Sequence, residues 1–172
     1  LSLVAQSRKQ CSHTVVSIFV NPLQFGPKED LSRYPRPFER DCELLQAGNI
    51  DVLYAPTPET LYASDHSTYV VEESLSPVLC GAFRPGHYRG VATVVLKLFN
   101  RVQPHVAFFG QKDAQQCAVI ERLVRDLDLS VQIVRGETLR ESDGLAMSSR
   151  NQYLSAEERQ MAPLIYRVLK ST

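Results

Sequence analysis

Val106-Ala107-Phe108-Phe109-Gly110-Gln111-Lys112-Asp113-Ala114-Gln115-Gln116 decides the fold. An apolar run of strand length, Val106 to Phe109, breaks at a glycine and passes into a helix-period pattern from about Ala114 to Leu127. A second strand-length run, Val131 to Val134, follows at once. Strand, helix and strand in such close order predict a parallel pair joined by a crossover helix.

The same pattern extends outward. Val15 to Val20 and Val52 to Ala55 read as strands, separated by a helix from Phe38 to Ala47 that Gly48 stops. A longer helix is expected from about Gly90 to Val102, and Leu1 to Gln10 suggests a helix packed on the sheet. Ser155 and Glu158 have capping-box spacing before an apolar-periodic run through Leu169. Residues 136–154 are left as an exposed connection. The fold class is α/β, with near-continuously apolar strands as a sheet covered on both faces requires.

Composition supports a globular chain: 44% of its 172 residues are apolar and 22% charged, so a sizeable core can form. Nineteen basic side chains balance nineteen acidic ones, which removes the positive field that drives nonspecific binding to nucleic acid or anionic membrane. No apolar run approaches the roughly eighteen residues of a membrane span, and no signal-peptide pattern is present. The expectation is a soluble, cytoplasmic protein with a small-molecule partner. Cys11, Cys42, Cys80 and Cys117 lie far apart without zinc-ligand spacing and read as reduced, mostly structural thiols.

Ligands of parallel α/β sheets gather at the carboxyl ends of the strands. Gly110, Gln111, Lys112 and Asp113 sit at such an end, where backbone N–H groups, a helix dipole and a lysine can converge on a phosphate. A plain strand exit to solvent has the same pattern. Gln115 and Gln116 are poor core residues but suit the reading of hydroxyls and carboxylates. Met147-Ser148-Ser149-Arg150 combines two hydroxyls with a guanidinium, a set suited to pyrophosphate or, equally, a serine-rich turn. Gln24, in the turn Asn21 to Phe25, is a substrate reader or an exposed turn glutamine. The stretch from Ala82 to Gly90 is compatible with anion binding or a lid, and no single residue in it demands a role. His66 and His105 are read as structural.

In order along the chain, Phe19 to Phe25, Arg33-Tyr34-Pro35-Arg36, Phe83 to Asn100, Phe109 to Gln116 and Asp143 to Leu154 strongly resemble the pantothenate synthetases, also called pantoate–β-alanine ligases. The resemblance implies a Rossmann-like domain of the HIGH-type nucleotidyltransferase superfamily over residues 1–154, with residues 155–172 leading into a smaller domain. It also implies a homodimer that uses ATP and Mg²⁺ to join pantoate to β-alanine through pantoyl adenylate. By position, Gly110, Gln111, Lys112, Asp113, Leu139, Met147, Ser148, Ser149 and Arg150 match ATP contacts. Lys112, Ser148, Ser149 and Arg150 are the catalytic candidates, and Gln24 and Gln116 the pantoate contacts. Metal ligands are not assigned.

Gln111 stands where some members have glutamate. The family's Met-Gly-x-Leu-His-x-Gly-His signature has no counterpart, and none of His13, His66, His87 or His105 matches its histidines. Its strand and the smaller domain are expected to be missing, leaving the sheet incomplete and these 172 residues inactive in ligation by themselves. Two rivals remain open: a nucleotidyltransferase acting on a phosphorylated alcohol, which would need cations where Gln24 and Gln116 stand, and a noncatalytic ATP-binding module.

Overall fold

The computed structural model describes residues 1–27 and 29–171, so Thr172, the last residue of the expected 155–172 segment, lies outside the described residues. Its elements, in chain order, are α1 (Ser2–Gln10), β1 (Val15–Ser17), α2 (Phe38–Ala47), β2 (Val52–Tyr54), α3 (Pro58–Leu61), α4 (Cys80–Phe83), α5 (His87–Val102), β3 (Val106–Gly110), α6 (Ala114–Asp126), β4 (Gln132–Gly136), α7 (Ala156–Met161) and α8 (Pro163–Ser171). Three 3-10 turns, Pro22–Gln24, Gln111–Asp113 and Ser149–Tyr153, lie in the loops that matter for the site.

The strands pair in parallel, as the alternation predicts. Val15, Val16 and Ser17 register with Val52, Leu53 and Tyr54, and β3 registers with β4 from Val106 opposite Gln132 to Gly110 opposite Gly136. Among the described residues the two pairs are not hydrogen-bonded to each other. A cleft of about 1020 Å³ lies between them, lined by Val15 to Ile18, Val106 to Phe109 and parts of α1, α2 and α5. The expected coverage of both faces therefore fails for β1 and β2, where Val15 is 40% and Val52 51% exposed.

Other corrections concern boundaries. β1 stops at Ser17 rather than Val20, with one further bond from Ile18 N–H to the Tyr54 carbonyl before the chain turns at Asn21. α5 begins three residues before Gly90, at His87. The final helix breaks into α7 and α8, because Pro163 has no N–H to continue the ladder. Its start is as expected: Ser155 and Glu158 form both bonds of a capping box.

The core is built where α5 meets α6. Tyr88, Val91, Val95 and Phe99 recur at helical spacing along α5 and pack against Val119, Ile120 and Leu123 of α6. Full burial of each such side chain stabilises by about 1.5–3 kcal/mol, so this seam fixes α6 and the loop before it. α1 packs on β3 and β4, as expected. Gly136 makes that approach possible, since a Cβ there would lie 2.2 Å from Leu3 Cδ2.

Candidate active site

The turn after β1 is wired to α5 through Asn21, which is 2% exposed. Its Oδ1 accepts from Leu23 N–H at 3.3 Å and from the Tyr62 hydroxyl at 2.8 Å; its Nδ2 donates to the Gly90 carbonyl at 3.0 Å and to Gln24 Oε1 at 3.3 Å. All four hydrogen-bonding capacities of the amide are used. Gln24 is thereby held in place, while its own Nε2 makes no hydrogen bond to the described residues.

The backbone of Gln24 is gripped from the other side. His87 Nδ1 lies 2.8 Å from the Gln24 carbonyl, and Arg84 Nη2 donates to the same oxygen at 3.4 Å. The carbonyl can only accept, so Nδ1 carries the proton. Nε2, 3.1 Å from Arg84 Nη1, accepts from the guanidinium. Burial lowers the His87 pKa, and the adjacent guanidinium acts in the same direction. Arg84 is itself paired with Glu29, through Nε to Oε1 at 2.8 Å and Nη2 to Oε2 at 2.5 Å. That pairing holds the Glu29 carboxyl below its ordinary range.

Residues 139–153 form a folded unit. Met147 N–H donates to the Leu139 carbonyl at 2.9 Å, and Arg140 and Ala146 make an antiparallel bridge. The backbone of Leu139 is thus tied to Met147 of the same candidate set. Ser148 caps the following 3-10 turn by accepting from Arg150 N–H, and Ser149 Oγ donates to the Tyr34 hydroxyl at 3.3 Å. Arg150 presents Nε and Nη2 to the two oxygens of Asp30, each at 2.9 Å, with its guanidinium 5.1 Å from the centre of the Tyr34 ring. The Asp30 carboxyl is held low and the guanidinium pKa raised by this pairing. Ser148, Ser149, Tyr34, Asp41 and Gln152 line a cleft of about 440 Å³.

At the end of β3, Gly110 leads into a 3-10 turn before α6 begins at Ala114, the start that the sequence pattern predicts. Gln111, Lys112 and Asp113 are exposed, and Lys112 Nζ pairs with Asp113 Oδ1 at 3.2 Å. Gln115 is not a ligand reader. Its Nε2 donates to the Leu75 and Val78 carbonyls at 2.8 and 2.6 Å, and its Oε1 accepts from Cys80 N–H at 3.0 Å, so it anchors the preceding loop to α6. Gln116, one residue on, is half-buried and makes no hydrogen bond to the described residues.

The structure thus joins Ser148, Ser149 and Arg150 to the loop at residues 30–34, and joins Gln24 to the start of α5. No hydrogen bond or ion pair among the described residues links Lys112 to Arg150. Glu29, Asp30, Tyr34 and Arg84 were given no individual roles from the sequence, and His87, the most interesting of its four histidines, reads there as structural or exposed rather than catalytic. The available signals were the adjacent acids Glu29 and Asp30 in a loop and the spacing of Arg84 and His87 at a helix start.

Known proteins resemble the chain along its whole length. The family model described as pantoate-beta-alanine ligase matches residues 1–172. The pantothenate synthetase of Thermotoga petrophila is 59% identical over 170 residues, covering 99% of this chain and 61% of that protein. A bifunctional pantoate ligase/cytidylate kinase of Synechococcus is 57% identical, with 99% of this chain and 32% of that protein covered. The crystal structure of the Thermus thermophilus pantothenate synthetase superposes with a TM-score of 0.94 at 54% identity, covering 96% of this chain and 60% of that one. The Francisella tularensis pantoate-beta-alanine ligase, solved in complex with beta-gamma ATP and beta-alanine, gives 0.93 at 34% identity, covering 98% and 65%. The chain spans about 60% of the length of the curated relatives it matches. Its fold is the Rossmann-like α/β fold of these enzymes. Matched along its whole length by the family model, the chain belongs to the pantoate-beta-alanine ligase family.

Proposed function

We propose that the protein carrying this chain condenses pantoate with β-alanine at the expense of ATP, through pantoyl adenylate, releasing pyrophosphate and then AMP. The observation that carries the reading is the pairing of Arg84 with Glu29. The cation bonded to the Gln24 turn is neutralised there, so the turn offers an amide rather than a free positive charge to its ligand. A phosphorylated acceptor calls for the opposite. Gln24, whose Nε2 makes no hydrogen bond to the described residues, and Gln116, whose amide makes none to them, suit the hydroxyls and carboxylate of pantoate.

In the first step a pantoate carboxylate oxygen attacks the α-phosphorus of ATP and the bond to pyrophosphate breaks. The carboxylate is ionised at neutral pH, so the protein's task is positioning and charge stabilisation. Lys112, Ser148, Ser149 and Arg150 are the donors assigned to the departing pyrophosphate, and the backbone segments at Gly110, Leu139 and Met147 to the nucleotide. In the second step the β-alanine amine attacks the acyl carbon, AMP leaves and the ammonium proton is lost.

Mg²⁺ would neutralise phosphate charge. No group of three or more His, Cys, Asp or Glu side chains that could hold a metal occurs among the described residues. Asp41 lines the cleft with Ser148 and Ser149 and makes no side-chain bond to the described residues, which fits an ion carried by the triphosphate and steadied by one carboxylate. A homodimer and a cytoplasmic location complete the proposal. Among the described residues, no helix is long and apolar enough to cross a membrane.

Titration of the full polypeptide with ATP and with pantoate, followed by a pantothenate assay, tests the reading. Binding of both with product formation supports the ligase. ATP binding without product points to a binding module, and turnover of a phosphorylated alcohol to the nucleotidyltransferase.

A further inference from the structure

Glu29 and Asp30 are adjacent, yet their carboxylates hold two guanidinium groups from distant parts of the chain. Glu29 takes Arg84, which also reaches the Gln24 carbonyl, and Asp30 takes Arg150. One short segment therefore touches both the turn assigned to pantoate and the loop assigned to pyrophosphate.

The two pairs differ in a way that suggests different duties. Arg84 and Glu29 are similarly shielded, with side chains 25% and 24% exposed, and His87 packs beside them. Arg150 is 46% exposed against 22% for Asp30, so the cation is the more accessible member of the pair. Exchange of an exposed partner costs little. The loop has further ties besides that pair: Ser149 holds the Tyr34 hydroxyl, Tyr153 donates its hydroxyl to the Arg33 carbonyl at 3.0 Å, and the Arg33 guanidinium lies 5.2 Å from the centre of the Tyr153 ring. The loop can stay docked while Arg150 changes partners. Asp30 also occupies the whole Nε and Nη2 edge of Arg150, the edge that would make a two-point contact with a phosphate.

The geometry points to Asp30 as a positioning residue that parks Arg150 against Tyr34 until a phosphate displaces it, with Glu29 as the fixed half of the clasp that keeps the Gln24 turn in place. The inference rests on the reading of Arg150 as a pyrophosphate group. Neutralising Asp30 would leave Arg150 without its competitor, raising the affinity for inorganic pyrophosphate about fivefold, the scale of an exposed ion pair. Pantoate affinity would not follow. Glu29→Gln would do the reverse, weakening pantoate and sparing pyrophosphate.

The test is calorimetric titration of the full polypeptide with inorganic pyrophosphate and with pantoate, in wild type, Asp30→Asn, Asp30→Glu, Glu29→Gln and Arg150→Ala. Expected are tighter pyrophosphate binding in Asp30→Asn, return to the wild-type value in Asp30→Glu, selective loss of pantoate affinity in Glu29→Gln, and weaker pyrophosphate binding in Arg150→Ala. Pyrophosphate binding that is unchanged or weaker in Asp30→Asn, with Arg150→Ala still weakened, would overturn the parking role and leave the phosphate reading intact. Unchanged binding in Arg150→Ala would remove the phosphate reading itself. Should Asp30→Asn fail to fold, the Arg150 Nε–H resonance of the wild type decides: it should shift as pyrophosphate replaces the carboxylate, and a resonance that stays put at saturation rejects the exchange.

Discussion

The Asn21 side chain donates to the backbone carbonyl of Gly90 at 3.0 Å, joining the turn after β1 to the first turns of α5. Because the same amide also serves Leu23, Gln24 and Tyr62, it is the junction through which the helix positions the Gln24 turn. Asn21→Ala should cost about 2–4 kcal/mol, since it strips partners from the half-buried Tyr62 hydroxyl and the buried Gly90 carbonyl. Urea denaturation measures this loss. A cost under half a kilocalorie would show that water replaces the amide there.

Gly90 contributes through what it lacks. A Cβ at this position would lie 2.4 Å from the Leu23 carbonyl oxygen and 2.7 Å from Gln24 N, both backbone atoms that cannot swing aside. Gly90→Ala should therefore push the turn off α5, destabilising by about 1–3 kcal/mol and weakening pantoate more than ATP. Equal losses for both ligands would indicate damage beyond the turn.

His87 makes the same region sensitive to acid. Its folded pKa is depressed below the ordinary 6.5, first by burial and then by Arg84, so the unfolded chain binds a proton more readily. The stability it contributes is fully present above 6.5 and is lost as pH falls from there through the depressed folded value. Protonation would also turn Nε2 into a donor facing the Arg84 guanidinium. Wild type should thus lose stability between about pH 7.5 and 5 by more than His87→Gln does. Parallel losses in the two proteins would place the acid sensitivity elsewhere.

Lys112 should show the opposite profile, chemistry without stability. Its one ion pair among the described residues is with its exposed neighbour Asp113, a contact of the kind that contributes little to folding. Lys112→Ala in the full polypeptide should leave the melting temperature within a degree or two and slow pyrophosphate release about a hundredfold. Release within a few-fold of wild type would take Lys112 out of the reaction.

The parts of this fold that were legible in the sequence are those set by local chemistry. The periodicity of α2, the apolar run of β3 and the capping pair Ser155 and Glu158 each depend on residues within a few positions, and each is present. The unread parts depend on distant partners. Arg84 meets Glu29 across 55 residues and Arg150 meets Asp30 across 120, pairings that no local pattern encodes. The exposure of Val15 and Val52 fits the incomplete sheet that the resemblance implied, although which strands it would affect was not legible.

Gln115 and Gln116 give the sharpest test of the site, because sequence alone treats them as a pair. They are consecutive on the first turn of α6, so their side chains point about 100° apart around the helix and meet different surroundings. The Gln115 amide makes three hydrogen bonds to the backbone of Leu75, Val78 and Cys80, whereas the Gln116 amide, half-buried, has no partner among the described residues. Gln115→Ala should release that loop and cost about 1–3 kcal/mol, because it leaves two carbonyls and an N–H without their partner. Its effect on ligands should be modest and shared between ATP and pantoate. Gln116→Ala removes no intramolecular bond, so stability should hold within about half a kilocalorie, while pantoate affinity falls and ATP affinity stays. Denaturation curves and titrations on the two single variants check both halves. If Gln116→Ala destabilised as much as Gln115→Ala and left pantoate binding unchanged, its assignment to the acid pocket would be lost, and Gln24 would be the one amide left to recognise pantoate.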